Sequence, residues 1–152
     1  MRTLLLPLLI LAQHPNAVSQ DIVQPSSSLG FESHKLAFHW DRLIPLDFSV
    51  DGLQIKTIFF NVRELNTRIL KGAQFGTRAR VEIINTSDKP KNPGFAVAVF
   101  DEKDNLLGAA SGGKKIGVLK PGKTASFDLN FHQVKERLQR GSYFYLSVEL
   151  VN

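Results

Sequence analysis

The sequence predicts an all-β fold: an antiparallel sandwich of about seven strands, with one short helix before the last strand. Three features carry that expectation. Runs of strictly alternating apolar and polar residues recur along the chain, separated by clusters of Pro, Gly, Asn and Asp. Only one passage, His132 to Arg140, has apolar residues at helical spacing. The chain has 152 residues, 43% hydrophobic and 22% charged, which is enough apolar material for one core and one domain.

The start of the chain is a separate object. Met1-Arg2 is a short positive head, Leu4 to Ala12 is an apolar run containing Pro7, Gln13-His14-Pro15-Asn16 is a polar breaker, and Ala17-Val18-Ser19 offers small residues for cleavage. That order is the one of a signal peptide over residues 1–19, so Gln20 opens the mature chain. The apolar run is far shorter than the roughly 20 residues a membrane-spanning helix needs. Pro25, Ser26, Ser27, Ser28 and Gly30 make residues 20–33 a flexible lead, and residues 34–152 the single sandwich domain.

In the domain, Leu36, Phe38 and Trp40 alternate with Lys35, Ala37 and His39 as in a half-buried strand, and Pro45 ends it or sits on an edge. Leu53 and Ile55 share one parity, and Ile58, Phe60 and Val62 the other, which predicts a bulge near Lys56-Thr57. Ala79 to Ile83 alternates and runs into the turn formers Asn85-Thr86-Ser87-Asp88-Lys89-Pro90. Phe95 to Phe100 is apolar on both parities, as a central strand covered on both faces would be, and Leu106 to Ala110 is its return strand. Pro121-Gly122 occupies the central positions of a type II turn ahead of Phe127, Leu129 and Phe131, which alternate inward. Val134 and Leu138 share one face of the short helix, Gly141 stops it, and Ser142 to Val151 alternates as the last strand.

Composition narrows the function. With no cysteine there is neither a lipid anchor nor a disulfide framework, which favours a bacterial exported protein, periplasmic or extracellular, stabilised by its core alone. Cleavage removes one charged residue, Arg2, and leaves 18 basic and 14 acidic side chains. The excess is small and scattered, so no nucleic-acid partner is expected.

The motifs with chemical potential resolve into structural features. Asp101-Glu102-Lys103-Asp104-Asn105-Leu106 lacks the alternating oxygen ligands and the sixth-position glycine of a calcium loop, and an exposed turn cannot split the pKa values of a catalytic acid pair. It reads as a hairpin crossing. Gly108-Ala109-Ala110-Ser111-Gly112-Gly113-Lys114-Lys115 approaches a phosphate loop, but Lys115 replaces the hydroxyl, and Gly117 and Pro121 prevent the helix that must follow. His34, His39 and Asp41 do not share a strand face, and neither they nor His132 form a metal set. No serine lies in a nucleophile elbow. Asn85-Thr86-Ser87 fits the N-glycosylation pattern but reads as turn chemistry. Catalytic, cofactor and metal residues are therefore expected to be none, and the protein is expected not to be an enzyme. Trp40, with Phe38 and Leu36, is either core or an exposed aromatic stripe.

With these elements in place, Val81-Glu82-Ile83-Ile84-Asn85-Thr86-Ser87-Asp88-Lys89-Pro90, Phe95 to Asp101, Asp104 to Gly108, Leu119-Lys120-Pro121-Gly122-Lys123-Thr124 and Phe127 resemble the bacterial FxLYD-type exported domains. Val97-Ala98-Val99-Phe100-Asp101 keeps the aspartate and preceding aromatic of the name-giving motif, with valines at its Phe and Leu positions. The resemblance implies an immunoglobulin-like sandwich on the cell exterior and transfers no active site. In such sandwiches a tyrosine at the corner before a late strand bonds back to upstream backbone, and Tyr143 is the candidate. The expected function is a non-enzymatic exported module that binds a protein or envelope component through strand edges or loops. The alternative is a carbohydrate-binding module using Trp40 on an aromatic sheet face.

Overall fold

In a computed structural model of the chain, the described residues form eight strands: β1 (Phe31–Ala37), β2 (Leu43–Val50), β3 (Leu53–Leu65), β4 (Ala73–Asn85), β5 (Pro93–Phe100), β6 (Leu106–Gly113), β7 (Thr124–Phe131) and β8 (Tyr143–Leu150). The structure describes residues 30–65, 73–113, 117–134 and 136–150; the expected signal peptide, residues 1–19, lies outside them, as do residues 20–29 of the expected lead. β1 begins at Phe31, ahead of His34. Two four-stranded sheets result, the first in the order β1-β8-β5-β6 and the second in the order β2-β3-β4-β7, with every strand pairing antiparallel. The fold is the expected all-β sandwich, and from β4 to β8 its alternation between sheets matches that of an immunoglobulin-like sandwich.

The strand beyond the expected seven is β2. Of the two readings of Pro45, the end of a strand or a place on an edge, the second holds: β2 stands at the edge of the second sheet, where one row of backbone groups has no strand partner and proline is tolerated. Ile44 and Leu46 on either side of the proline are buried. The Leu36-Phe38-Trp40 alternation is likewise divided. Leu36 belongs to β1, whereas Phe38 and Trp40 lie in the crossover to the second sheet, where the Phe38 N–H donates to Ser142 O at 2.9 Å and Trp40 bridges to Phe60.

The parity switch in β3 is a bulge where the sequence places it. Pairing with β4 shifts register between Ile55 and Thr57, which leaves Leu53, Ile55, Ile58 and Phe60 all facing inward and all solvent-free. These residues meet Val81 and Ile83 of β4, Leu129 and Phe131 of β7, and Val97, Val99, Phe144, Leu146 and Val148 of the first sheet in one core. At its centre the Phe60 and Phe144 rings meet edge to face, with centroids 5.0 Å apart. The expected short helix is a single 3₁₀ stretch, Glu136–Arg140, whose Leu138 is buried with Val134 beneath β6. Gly122 has φ of 69°, as the Pro-Gly turn requires.

Candidate functional site

The outer face of the first sheet is a lattice of four strands by four rows, read directly from the register. The rows are Phe31, Glu149, Gly94 and Gly113; then Ser33, Ser147, Ala96 and Ser111; then Lys35, Tyr145, Ala98 and Ala109; then Ala37, Tyr143, Phe100 and Leu106. Nine of these sixteen residues are Gly, Ala or Ser and only Lys35 and Glu149 are charged, so the middle of the face is a smooth, neutral floor. Phe31 and Leu106 rise at two of its corners, 42% and 56% exposed, and Tyr145 rises within it, 40% exposed. Two hollows lie on this floor, one of 570 Å³ toward Phe31 and one of 320 Å³ toward Tyr145, and Ala96, Ser111 and Ser147 border both. Together they form one continuous trough.

This face corrects the reading of Phe95 to Phe100 as a strand covered on both sides. β5 is interior to its sheet, and Phe95, Val97 and Val99 are buried, but Ala96 is exposed and Ala98 and Phe100 are only half-buried. The apolar residues on the outward parity are therefore a surface and not a second core.

The aromatic margin is built on the β5–β6 crossing. Asp101 Oδ1 accepts from the backbone N–H of Lys103 and of Asn105, each at 2.9 Å, and Asp101 Oδ2 accepts from Asn105 Nδ2 at 2.9 Å. The Asn105 bonds, side chain first, hold the Asp101 carboxyl below its ordinary range. The turn then presents Asp104, in the left-handed region at φ 62°, to Tyr143, whose hydroxyl donates to Asp104 Oδ1 at 2.6 Å. Tyr143 is thus not the corner tyrosine expected from the sequence. Its ring points across the sheet face to the neighbouring hairpin, and its bond goes to a side chain. That bond, with some desolvation and the Asp104 charge, pushes its hydroxyl up to about 12. One face of the Tyr143 ring stacks on Phe100, with centroids 5.2 Å apart and planes 7° apart, and Lys35 Nζ lies 3.8 Å from its centroid. Tyr145 stands nearly perpendicular to both neighbouring rings, its planes at 85° and 80° to Phe100 and Tyr143.

The outer face of the second sheet is of a different kind. Arg78 Nη1 and Arg80 Nε both reach Asp128, at 2.8 Å each, and Arg78 Nε donates to Asn61 Oδ1 at 3.0 Å. Burial alone would raise the Asp128 carboxyl, but the Arg80 bond and the Arg78 charge outweigh it and hold the carboxyl low. The same bond raises Arg80. Leu43, 59% exposed, and the half-buried Phe59 share this face, so ion-paired and apolar positions are mixed on it.

The other sequence candidates are scattered. His34 stacks on Phe48, with centroids 3.9 Å apart, and bonds Glu32; His39 and His132 are exposed elsewhere. Among the described residues no three His, Cys, Asp or Glu side chains are placed to hold a metal ion, and no helix is long and apolar enough to cross a membrane. Gly108 to Gly113 is β6 itself, not a loop opening a helix, and Lys114 and Lys115 lie outside the described residues. Asn85 is buried and bonded on both sides of its amide, which agrees with its reading as turn chemistry. Trp40 is half-buried against the core, Phe38 is buried and Leu36 half-buried, so these three do not form an exposed stripe. The aromatic residues of the first sheet's outer face are instead the exposed Phe31 and Tyr145 and the half-buried Phe100 and Tyr143. The signal that could have found them was present in the sequence: apolar and small residues at both parities of β5 and β6, opposite a β8 that carries tyrosines at its outward positions. No family model matches the chain, and a search of curated proteins finds no match.

Proposed function

We propose that the chain is a non-enzymatic exported binding module whose ligand, a protein or an envelope component, lies on the outer face of the first sheet. One observation carries the reading: a four-stranded face bears two charges in sixteen positions and holds two adjoining hollows, whereas the outer face of the second sheet carries Arg78 and Arg80 ion-paired to Asp128. Leaving small apolar residues in water costs free energy that a solvated surface ordinarily avoids with charged side chains, so such a face is the mark of an interaction site. A shallow, neutral sheet face holds a ligand without bringing acid, base and nucleophile to one point, which is why binding rather than catalysis is proposed. The signal-peptide order of residues 1–19 and the resemblance to FxLYD-type exterior domains support the export part of the reading. Native cross-linking in the envelope, followed by mass spectrometry, tests it. The expected result is a saturable product whose links map to β1, β5, β6 or β8 and vanish in Ala96→Arg; random, non-saturable products would defeat the proposal.

A further inference from the structure

We infer that the trough on the first sheet binds a neutral oligosaccharide, laid across the Ala and Ser floor and stacked against Tyr145. This rests on the binding-module reading above and names the ligand class.

Area comes first. Four strands about 4.8 Å apart, with outward residues about 7 Å apart along each strand, give a face of about 500 Å². A stable protein partner or a second copy of this chain needs about 800 Å² on each side. That footprint falls short of a stable protein interface, though not of a transient one, and is ample for a short glycan.

Charge comes second. Lys35 and Glu149 are the two charges of the face, in different rows, and Lys35 is already drawn over the Tyr143 ring. Among the described residues of the floor, an acidic glycan, a phosphorylated lipid or a nucleic acid would find no cluster of cations. A neutral ligand loses nothing by that.

Chemistry comes third. A pyranose has an apolar C–H face and a rim of hydroxyls, and the trough offers the complement of each. Tyr145 borders the hollow and is held nearly perpendicular to the Phe100 and Tyr143 rings by its edge contacts with them, so little freedom is lost when a sugar ring stacks on it. One row away, Ser33 Oγ and Ser147 Oγ lie 3.0 Å apart and Ser111 stands on the far strand, giving hydroxyls that both donate and accept. Ala96 and Ala98 between them are small enough to let a ring approach the sheet. A partner peptide added at a strand edge would use none of these features.

The test is titration of the purified protein with cellohexaose, maltohexaose and chitohexaose, followed by amide NMR and calorimetry. At least one hexaose should shift the amides of Ala96, Ala98 and Ser147, and Tyr145→Ala should weaken it about tenfold, the size of one lost ring-stacking contact. Ala96→Arg should abolish the shifts; Gly94→Arg is a second blocking variant, since a Cβ there meets nothing nearer than Glu149 O at 3.8 Å and the fold has room for it. Arg80→Ala, on the other sheet, should bind as the parent does. Silence of all three hexaoses, or binding that survives both blocking variants, overturns the inference. If the hexaoses are silent while a protein cross-links to this face and is lost in Ala96→Arg, the glycan is refuted and the binding module stands; if cross-linking is silent too, both fall.

Discussion

Replacing Asn85 by alanine should cost about 3 kcal/mol, more than any single surface change in this molecule. Asn85 ends β4 with no exposed surface, and its amide closes four hydrogen bonds: Nδ2 donates to Lys89 O at 2.8 Å and to Leu119 O at 2.9 Å, and Oδ1 accepts from Ser87 N at 3.0 Å and Ser87 Oγ at 2.7 Å. Neutral bonds of this kind contribute about 1 kcal/mol each. Part of the loss is cushioned, because Leu119 O still accepts from Lys91 N and Lys89 O from Ser87 Oγ, which reduces a sum near 4 to about 3 kcal/mol. At about 4 °C per kcal/mol for a domain of this size, the melting temperature should fall by about 12 °C. Thermal and urea denaturation measure the loss, and Ser87→Ala alone should cost about 1 kcal/mol. The two changes share bonds, so the double variant should cost less than the sum of the singles. A loss under about 1 kcal/mol for Asn85→Ala, or strict additivity with Ser87→Ala, would show that water replaces the amide and that the hub does not hold the loop.

Tyr143→Phe should remove a tyrosinate step at a pH of about 12 from the ultraviolet titration; because the folded hydroxyl sits above its ordinary value of 10, the bond to Asp104 contributes fully below pH 10 and is lost as pH rises through about 12. Gly108→Val should destabilise by about 1–3 kcal/mol in urea denaturation, since even a Cβ there lies 3.0 Å from Leu138 and 3.1 Å from Phe131 and Val134. Asp128→Asn should cost about 1 kcal/mol at neutral pH. Its carboxyl is held low in the fold, so the stability it adds is present above the unfolded value of about 3.9 and lost as pH falls through the lower folded value; the variant should flatten that part of an acid-denaturation profile.

Much of the sandwich was legible because one-sided burial writes itself as alternation. β8 shows it best, with Phe144, Leu146 and Val148 solvent-free and Tyr145 and Glu149 outside, and the bulge in β3 appeared as a change of parity before any pairing was known. What alternation cannot report is which surface faces water. In β5 the outward residues are Ala96, Ala98 and Phe100, and hydropathy alone does not separate a second buried face from an uncovered binding face. β2 is hard to read as a separate strand for a related reason: Pro45 is compatible with a strand's end and with an edge, and the sheet order decides for the edge. Tyr143 illustrates a third limit, since its partner Asp104 is distant in sequence and the two meet only because β5 pairs with both β6 and β8.

The candidate face also depends on its least anchored strand. β1 contributes Phe31, Ser33 and Lys35 to the rows, yet none of its residues is fully buried, and its inward positions are Glu32, His34 and Leu36. Its hold on the sandwich is the ladder to β8, the Ser33–Ser147 hydroxyl contact, Lys35 over the Tyr143 ring, the half-buried Leu36 and the stack of His34 on Phe48. A strand with so little apolar burial opens at lower free energy than the core strands beside it. A ligand that bridges β1 and β8 binds only when the ladder is closed, and therefore stabilises β1 by mass action. Occupancy of the face and closure of the first strand of the domain are thus one equilibrium. Protection of the β1 amides against hydrogen exchange should rise with ligand while that of β3 and β4 stays nearly constant, and uniform protection across both sheets would separate the two events.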